Sequence, residues 1–311
     1  MMKTQSRWRK TARGALRCTF AAACAMLLPS CDEKPAPPPP APARPAPVLL
    51  ISAPPVLANI AKSWGDAFKA RSGVHVEVAP GSQADSVVRD LVKEGAVTAL
   101  GFQSLRPDQK AQVLQKHGND IIEIVAGVQA SAVYVHRDNP LQSLSLEQLK
   151  GIFGQDGGLA DWKQMGVDGM EGSIKPLALK RESPEFAAFF EMASRSGAGG
   201  DPVLPAAGIT SCDDTAGVIA AVAANPHSIG LGNLTADEPK GVRRLPVAAS
   251  AEGPATAPGL NEARMGRYPL SRRFLVYAVG PMEGAVKDFV AFVLSAEGQQ
   301  LLTKAGGVPL R

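Results

Sequence analysis

Short apolar runs alternate along this chain with stretches in which apolar residues return every three or four positions, the pattern of strands interleaved with amphipathic helices. Residues 48–51 read as a first strand, and Leu57, Ile60, Ala61, Trp64 and Phe68 follow at helical spacing. That stripe faces a core, so Trp64 is expected to pack rather than bind. Residues 74–78 alternate as a second strand, Gly81 and Ser82 make a turn, and Val88, Leu91 and Val92 mark the buried face of a second helix. Residues 97–100 complete a strand-helix-strand-helix-strand unit, which predicts parallel strands. Further on, residues 132–136 read as a strand and Asn139-Pro140 as a break. Ser145-Leu146-Glu147-Gln148 is a capping-box start for a helix running to Phe153. Residues 157–158, 196–200 and 250–259 are loops by composition. The chain closes with a strand over 274–279, a helix with Val286, Phe289, Val290, Val293 and Leu294 on one face, and a stop at Gly306-Gly307. The class is α/β, and no internal repeat is visible.

Ahead of this region lies a different kind of sequence. A basic stretch to Arg17 precedes an apolar run over residues 20–28 and then Leu28-Pro29-Ser30-Cys31. The apolar run is shorter than the roughly 20 residues that a membrane-spanning helix needs, so residues 1–30 are read as a secretion signal. Leu28 and the small Ser30 before Cys31 resemble a bacterial lipobox, with Pro29 untypical. The resemblance implies lipid attachment at Cys31 and removal of everything before it. Asp32 resembles the retention signal of enterobacterial inner-membrane lipoproteins, which places the expected location on the periplasmic side of the inner membrane. Residues 31–47 are rich in Pro and Ala and read as an extended tether, at about 3.1 Å per residue. A disordered leader or a Pro-rich ligand for a partner domain has the same composition.

With 311 residues, 45% hydrophobic and 20% charged, the chain can bury one or two substantial cores. Its net charge of +4 owes everything to Lys3, Arg7, Arg9, Lys10, Arg13 and Arg17, which share the first 30 residues with no acid. Without those six the remainder is mildly acidic, so no nucleic-acid partner is expected. Of four cysteines, Cys18 and Cys24 leave with the signal and Cys31 takes lipid, so Cys212 has no disulfide partner. No base adjoins it in sequence, and an inert thiol is expected. His75, His117, His136 and His227 lack metal-ligand spacing. No GxSxG elbow or nucleophile with a base in reach is present. No metal, cofactor or catalytic residue is assigned, and the chain is not read as an enzyme.

Three segments in register carry a more specific reading: Arg267-Tyr268-Pro269-Leu270 with the strand after it, residues 292–299 (FVLSAEGQ), and Gly307-Val308-Pro309-Leu310. Together they resemble the C-terminal part of phosphate-binding proteins of ABC transporters. Residues 145–153 followed by Trp162, residues 218–232, and the Gly81-Ser82 turn resemble further family segments, so that the similarity covers nearly all of residues 48–311. The resemblance implies a periplasmic-binding-protein type II fold, two α/β lobes joined by a two-strand hinge. Lobe 1 would hold about 48–130 plus 270–311, and lobe 2 about 131–269, with the hinge strands near 128–137 and 267–279. It also implies a ligand-binding protein, by default a monomer, that holds phosphate or another small anion by lobe closure and passes it to an ABC permease in the inner membrane.

In that family the anion is held without metal by backbone N–H groups at helix starts, by hydroxyls and by an arginine, which suits the positive end of a helix dipole. The matching positions here are Ser52, Gly81, Ser82, Arg181 and Ser183. The pattern departs in four places. Pro184-Glu185 stands where the family's loop has Gly-Thr, and Ser52-Ala53-Pro54-Pro55 where it has Gly-Ser-Ser-Thr. Gln83 and Asp85 replace glycines, and no acid stands near Ala99 or Leu100, where an aspartate would accept the phosphate proton. Ser82-x-x-Asp85 reads first as a capping box, and second as a replacement proton acceptor. Arg181, apart from the resemblance, reads as the charged end of a strand paired to a surface acid. Tyr268, Arg272 and Arg273 read as structural or surface residues. The altered positions also admit a related accessory, sensing or envelope-assembly protein that has lost phosphate binding.

Overall fold

In a computed structural model the described residues are 48–81, 86–93, 96–167, 169–194 and 203–311. The expected signal (1–30), lipid attachment at Cys31 and tether (31–47), together with Ser82, Gln83, Asp85 and the expected loop at 196–200, therefore lie outside them. The first part of the chain is β1 (Val48–Ala53), α1 (Pro55–Ser72), β2 (His75–Pro80), α2 (Ser86–Lys93), β3 (Thr98–Gly101), α3 (Pro107–His117) and β4 (Ile121–His136). Next come β5 (Leu144–Ser145), α4 (Leu146–Phe153), β6 (Lys175–Leu179), α5 (Pro184–Ser194), β7 (Thr210–Cys212), α6 (Thr215–Ala224) and β8 (Ser228–Asn233). The remainder is β9 (Val242–Arg244), β10 (Val247–Ala248), β11 (Ala255–Thr256), α7 (Leu260–Arg264), β12 (Ser271–Val279), α8 (Gly284–Leu294) and α9 (Ala296–Lys304).

Two sheets share one strand. The order β2-β1-β3-β12-β4-β8-β6-β7 passes from the first sheet to the second within β4, whose residues 121–130 pair with β12 and 131–135 with β8. As the alternation predicts, β1 is parallel to both β2 and β3. In the second sheet β6 is parallel to β7 and β8. The chain leaves the first lobe through β4 and returns through the turn before β12, where Ser131 N–H donates to the Leu270 carbonyl at 2.9 Å. The returning element of the hinge is thus a turn at Tyr268 to Leu270. β12 itself pairs only with β3 and β4 of the first sheet among the described residues.

Each sheet is covered on both faces, and strand alternation sorts side chains between the layers. On β12, Phe274 and Val276 join the layer made by α1 and α8, while Leu275, Tyr277 and Val279 join the layer under α2 and α3. On β4, Val133 and Val135 enter the core of Phe153, Trp162 and Phe189, and Ala132 and Tyr134 enter the core under α6. The predicted α1 stripe is buried as one face, with Trp64 fully covered and its Nε1 donating to the Gly298 carbonyl at 2.8 Å. The Ser145 capping box forms in both directions, Ser145 Oγ accepting from Gln148 N–H and Gln148 Oε1 from Ser145 N–H.

Gly127 lies where β4 passes beneath α9. A Cβ there would press on Leu302 Cδ2 and lie 2.6 Å from Phe274 Cζ, a ring held edge-on by Phe102 and tilted against Trp64. Gly127→Ala is expected to lower the free energy of unfolding by about 1–3 kcal/mol through overpacking. Urea denaturation checks it, and an unchanged midpoint would show that Leu302 and Phe274 yield freely.

Candidate functional site

The carboxyl ends of β1, β6 and β8 open toward one place, as ligand sites in open α/β sheets do. There the start of α1 (Val56, Leu57) comes opposite Glu185 at the start of α5, with Gln129, Asn233 and Phe274 between them, around a cavity of about 30 Å³. Such a volume admits a water or two and no larger ligand. Of the candidate residues, Ser52, Gly81, Arg181 and Ser183 do not line the cavity.

On the first lobe, the fold brings Ser52 and Gly81 together. Gly81 N–H donates to the Ala53 carbonyl at 2.7 Å, and the backbones approach so closely that a Cβ at Gly81 would sit 2.8 Å from Ser52 Oγ. Both donors are already engaged. Ser52 Oγ donates to Asp90 Oδ2 at 2.5 Å, and Asp90 is only 1% exposed. The neighbouring Arg89 guanidinium lies 3.3 Å from Asp90 Oδ1. A carboxylate of the chain itself thus takes up the serine hydroxyl that the family resemblance assigns to an anion.

On the second lobe, Ser183 Oγ accepts from Phe186 N–H at 3.1 Å and so serves as the hydroxyl cap of α5. Arg181 is exposed, donates from Nη2 to the Ala206 carbonyl and stands over the Phe186 ring at 5.9 Å. The surface acid expected for it is taken by its neighbour: Lys180 Nζ meets Asp213 Oδ1 at 2.6 Å. Their hydrogen bond holds the Asp213 carboxyl below, and the Lys180 ammonium above, its ordinary pKa. Cys212 is partly buried, and burial pushes its thiol pKa up, as do the adjacent Asp213 and Asp214. That is the opposite of an activated thiol. Among the described residues no group of three or more His, Cys, Asp or Glu side chains is placed to hold a metal ion.

Of the two roles read for Arg272, structural or surface, the structure shows the first: it is 6% exposed at the junction of the two sheets. Its Nε donates to Gln129 Oε1 at 2.8 Å and its Nη1 to Glu191 Oε2 on α5 at 2.6 Å. The guanidinium carbon lies 3.6 Å from the centre of the Phe102 ring. A sequence signal was present, since Arg272 is in phase with Phe274 and Val276 and therefore on the core face of its strand. Tyr268 is buried in the second lobe, with its hydroxyl pKa pushed far up by burial, and Arg273 donates to the Arg264 carbonyl.

Residues 38–297 match a family model described as a PBP superfamily domain. Over 268 residues, 82% of this chain and 80% of the relative, the sequence is 26% identical to the phosphate-binding protein PstS of Pseudomonas aeruginosa. Among solved structures, the fold is similar to that of a possible phosphate binding protein from Planctomyces limnophilus. The TM-score there is 0.74 at 15% identity, covering 86% of this chain and 94% of that one. It is also similar to an ABC-type phosphate transport receptor from Vibrio cholerae, with a TM-score of 0.60 at 19% identity, covering 84% of this chain and 99% of that one.

The Ser52–Asp90 contact makes a prediction of its own. Ser52→Ala removes the hydroxyl donor from a buried carboxylate and is expected to cost about 1–3 kcal/mol of stability. Urea melts read the loss, and an unaltered midpoint would mean that Asp90 is satisfied without the serine.

Proposed function

We propose that this chain, which belongs to the PBP superfamily, is the extracytoplasmic solute-binding component of an ABC-type uptake system and holds phosphate or a similar small oxyanion between its lobes. The likeness to the Pseudomonas aeruginosa phosphate-binding protein, which runs through 82% of the chain, carries the reading. The geometry supports it: two sheets hinged on β4 turn their strand ends toward one cleft, the arrangement in which ligand is captured by closure. Lobe 1 (about 48–130 with 270–311) would move against lobe 2 (about 131–269). Binding and release are the whole of the chemistry, with no reaction, metal or cofactor required.

In this reading Ser52, Gly81 and Ser82 approach the anion from lobe 1, and Arg181 and Ser183 from lobe 2. Arg181 exchanges a neutral carbonyl and a ring face for a charge-assisted, bidentate contact, which is the stronger partner. Cys31 would carry the lipid anchor, residues 31–47 the tether, and the inner-membrane permease would receive the ligand from a monomer on the periplasmic side. Among the described residues no helix is long and apolar enough to cross a membrane.

A specific observation favours a second reading. Asp90 engages Ser52 at 2.5 Å, and a buried carboxylate beside a multiply charged anion is unfavourable unless a proton lies between them. An accessory, sensing or envelope-assembly protein that no longer binds phosphate accommodates that feature without rearrangement.

Calorimetric titration of the ligand-stripped full chain with phosphate separates the two, with sulfate as control. The transport reading expects saturable one-to-one binding of phosphate that weakens roughly tenfold to a hundredfold in Arg181→Ala. A folded protein that gives no heat with phosphate would set that reading aside in favour of the second.

A further inference from the structure

Arg272 is a buried cation, and a carboxylate that pairs with it, that of Glu191, belongs to the opposite lobe. It enters from β12, the strand that completes the first sheet, and meets Glu191 of α5, which packs on the second. The two members of the pair are unequal. The Arg272 side chain is 4% exposed, whereas that of Glu191 is 45% exposed. Glu191 can turn to water at little cost, but a guanidinium at that depth needs an anion beside it.

The surroundings of Arg272 also border the cleft cavity. Gln129, which accepts from its Nε, and Phe274, which packs against Phe102 beneath it, both line that cavity, as does Glu185 on α5. Because the cavity of about 30 Å³ holds no more than water, entry of a ligand requires α5 to separate from α1. Glu191 rides on α5. The motion that admits a ligand is therefore the motion that withdraws the carboxylate from Arg272. Phe102 and Gln129 belong to the first lobe and stay behind, keeping the guanidinium plane fixed. A planar fork held in this way is matched to an oxyanion.

We propose that Arg272 is a ligand-binding residue, and that an oxyanion entering the cleft takes the place of the Glu191 carboxylate on its guanidinium. Glu191 is then a built-in competitor that occupies the cation while the cleft is empty. The inference rests on the reading that the cleft holds a small oxyanion, and adds to it the group on the hinge strand that receives the charge.

Inorganic phosphate titrated into the full-length wild type, Glu191→Gln and Arg272→Gln tests this. Glu147→Gln, an exposed acid at the start of α4, controls for the change in net charge. Removing the competitor is expected to tighten phosphate binding about tenfold in Glu191→Gln and not in Glu147→Gln, while Arg272→Gln weakens it about a hundredfold. Circular dichroism verifies that each variant is folded. Glu191 is half exposed, so its variant remains informative even if Arg272→Gln fails to fold. Binding that appears only in Glu191→Gln also supports the proposal. Wild-type binding that Glu191→Gln leaves equal or weaker overturns it and leaves the transport reading standing. Absence of binding in both wild type and Glu191→Gln overturns both.

Discussion

The sixteen-residue strand β4 must satisfy two sheets with a single backbone. Nine of its first ten residues are laddered to β12, Ala126 being passed over at a register shift, and the next five to β8, so the two lobes meet without a linker. A buried strand cannot leave its N–H and C=O groups unpaired where one partner ends and another begins. At that point the chain supplies the missing contacts from the return crossing, with Ser131 N–H on Leu270 and Leu234 N–H on the Ala130 carbonyl. These two bonds bridge the junction, and Gln129, Arg272 and Phe274 lie on the strands that meet there.

Two ionic side chains are buried among the described residues, Asp90 and Arg272, and they are stabilised differently. Asp90 is compensated within its own lobe, by a serine 38 positions earlier and by the adjacent arginine. Arg272 is compensated across the cleft. Breaking a buried pair leaves a charge uncompensated, which costs far more than the pair contributes when intact. Asp90 thus stiffens one lobe irrespective of the other, whereas Arg272 ties the electrostatics of the first lobe to the position of the second.

Much of the scaffold was legible because it is periodic. The stripe from Leu57 to Phe68 repeats at helical spacing over three turns, and the Ser145 box is a local hydrogen-bond pattern that needs no knowledge of the rest of the fold. α3 was missed because its apolar content is slight: Val113 is buried but Leu114 is exposed, and Pro107 at its first turn was the remaining cue. The first part of β4, ahead of the hinge strand expected near 128–137, was missed where Glu123 interrupts its apolar run. At the site, the grouping of Ser52 with Gly81 was implied by the family resemblance. The capture of Ser52 by Asp90 and of Arg272 by Glu191 was not, since each joins residues 38 and 81 positions apart whose pairing exists only in the folded state.

The place of β12 in the first sheet bears on how the protein reaches its fold. β12 lies between β3 and β4, yet it begins at residue 271, long after β3 ends at 101 and β4 at 136. Until residues 271–279 arrive, β3 has an open edge and β4 lacks its partner along the first lobe, leaving ladder groups that invite mispairing. The second lobe, by contrast, has all of its strands in hand by then. For a chain made from its amino end, the lobe that begins first is the one that closes last, and its half-built sheet keeps an open edge until β12 arrives.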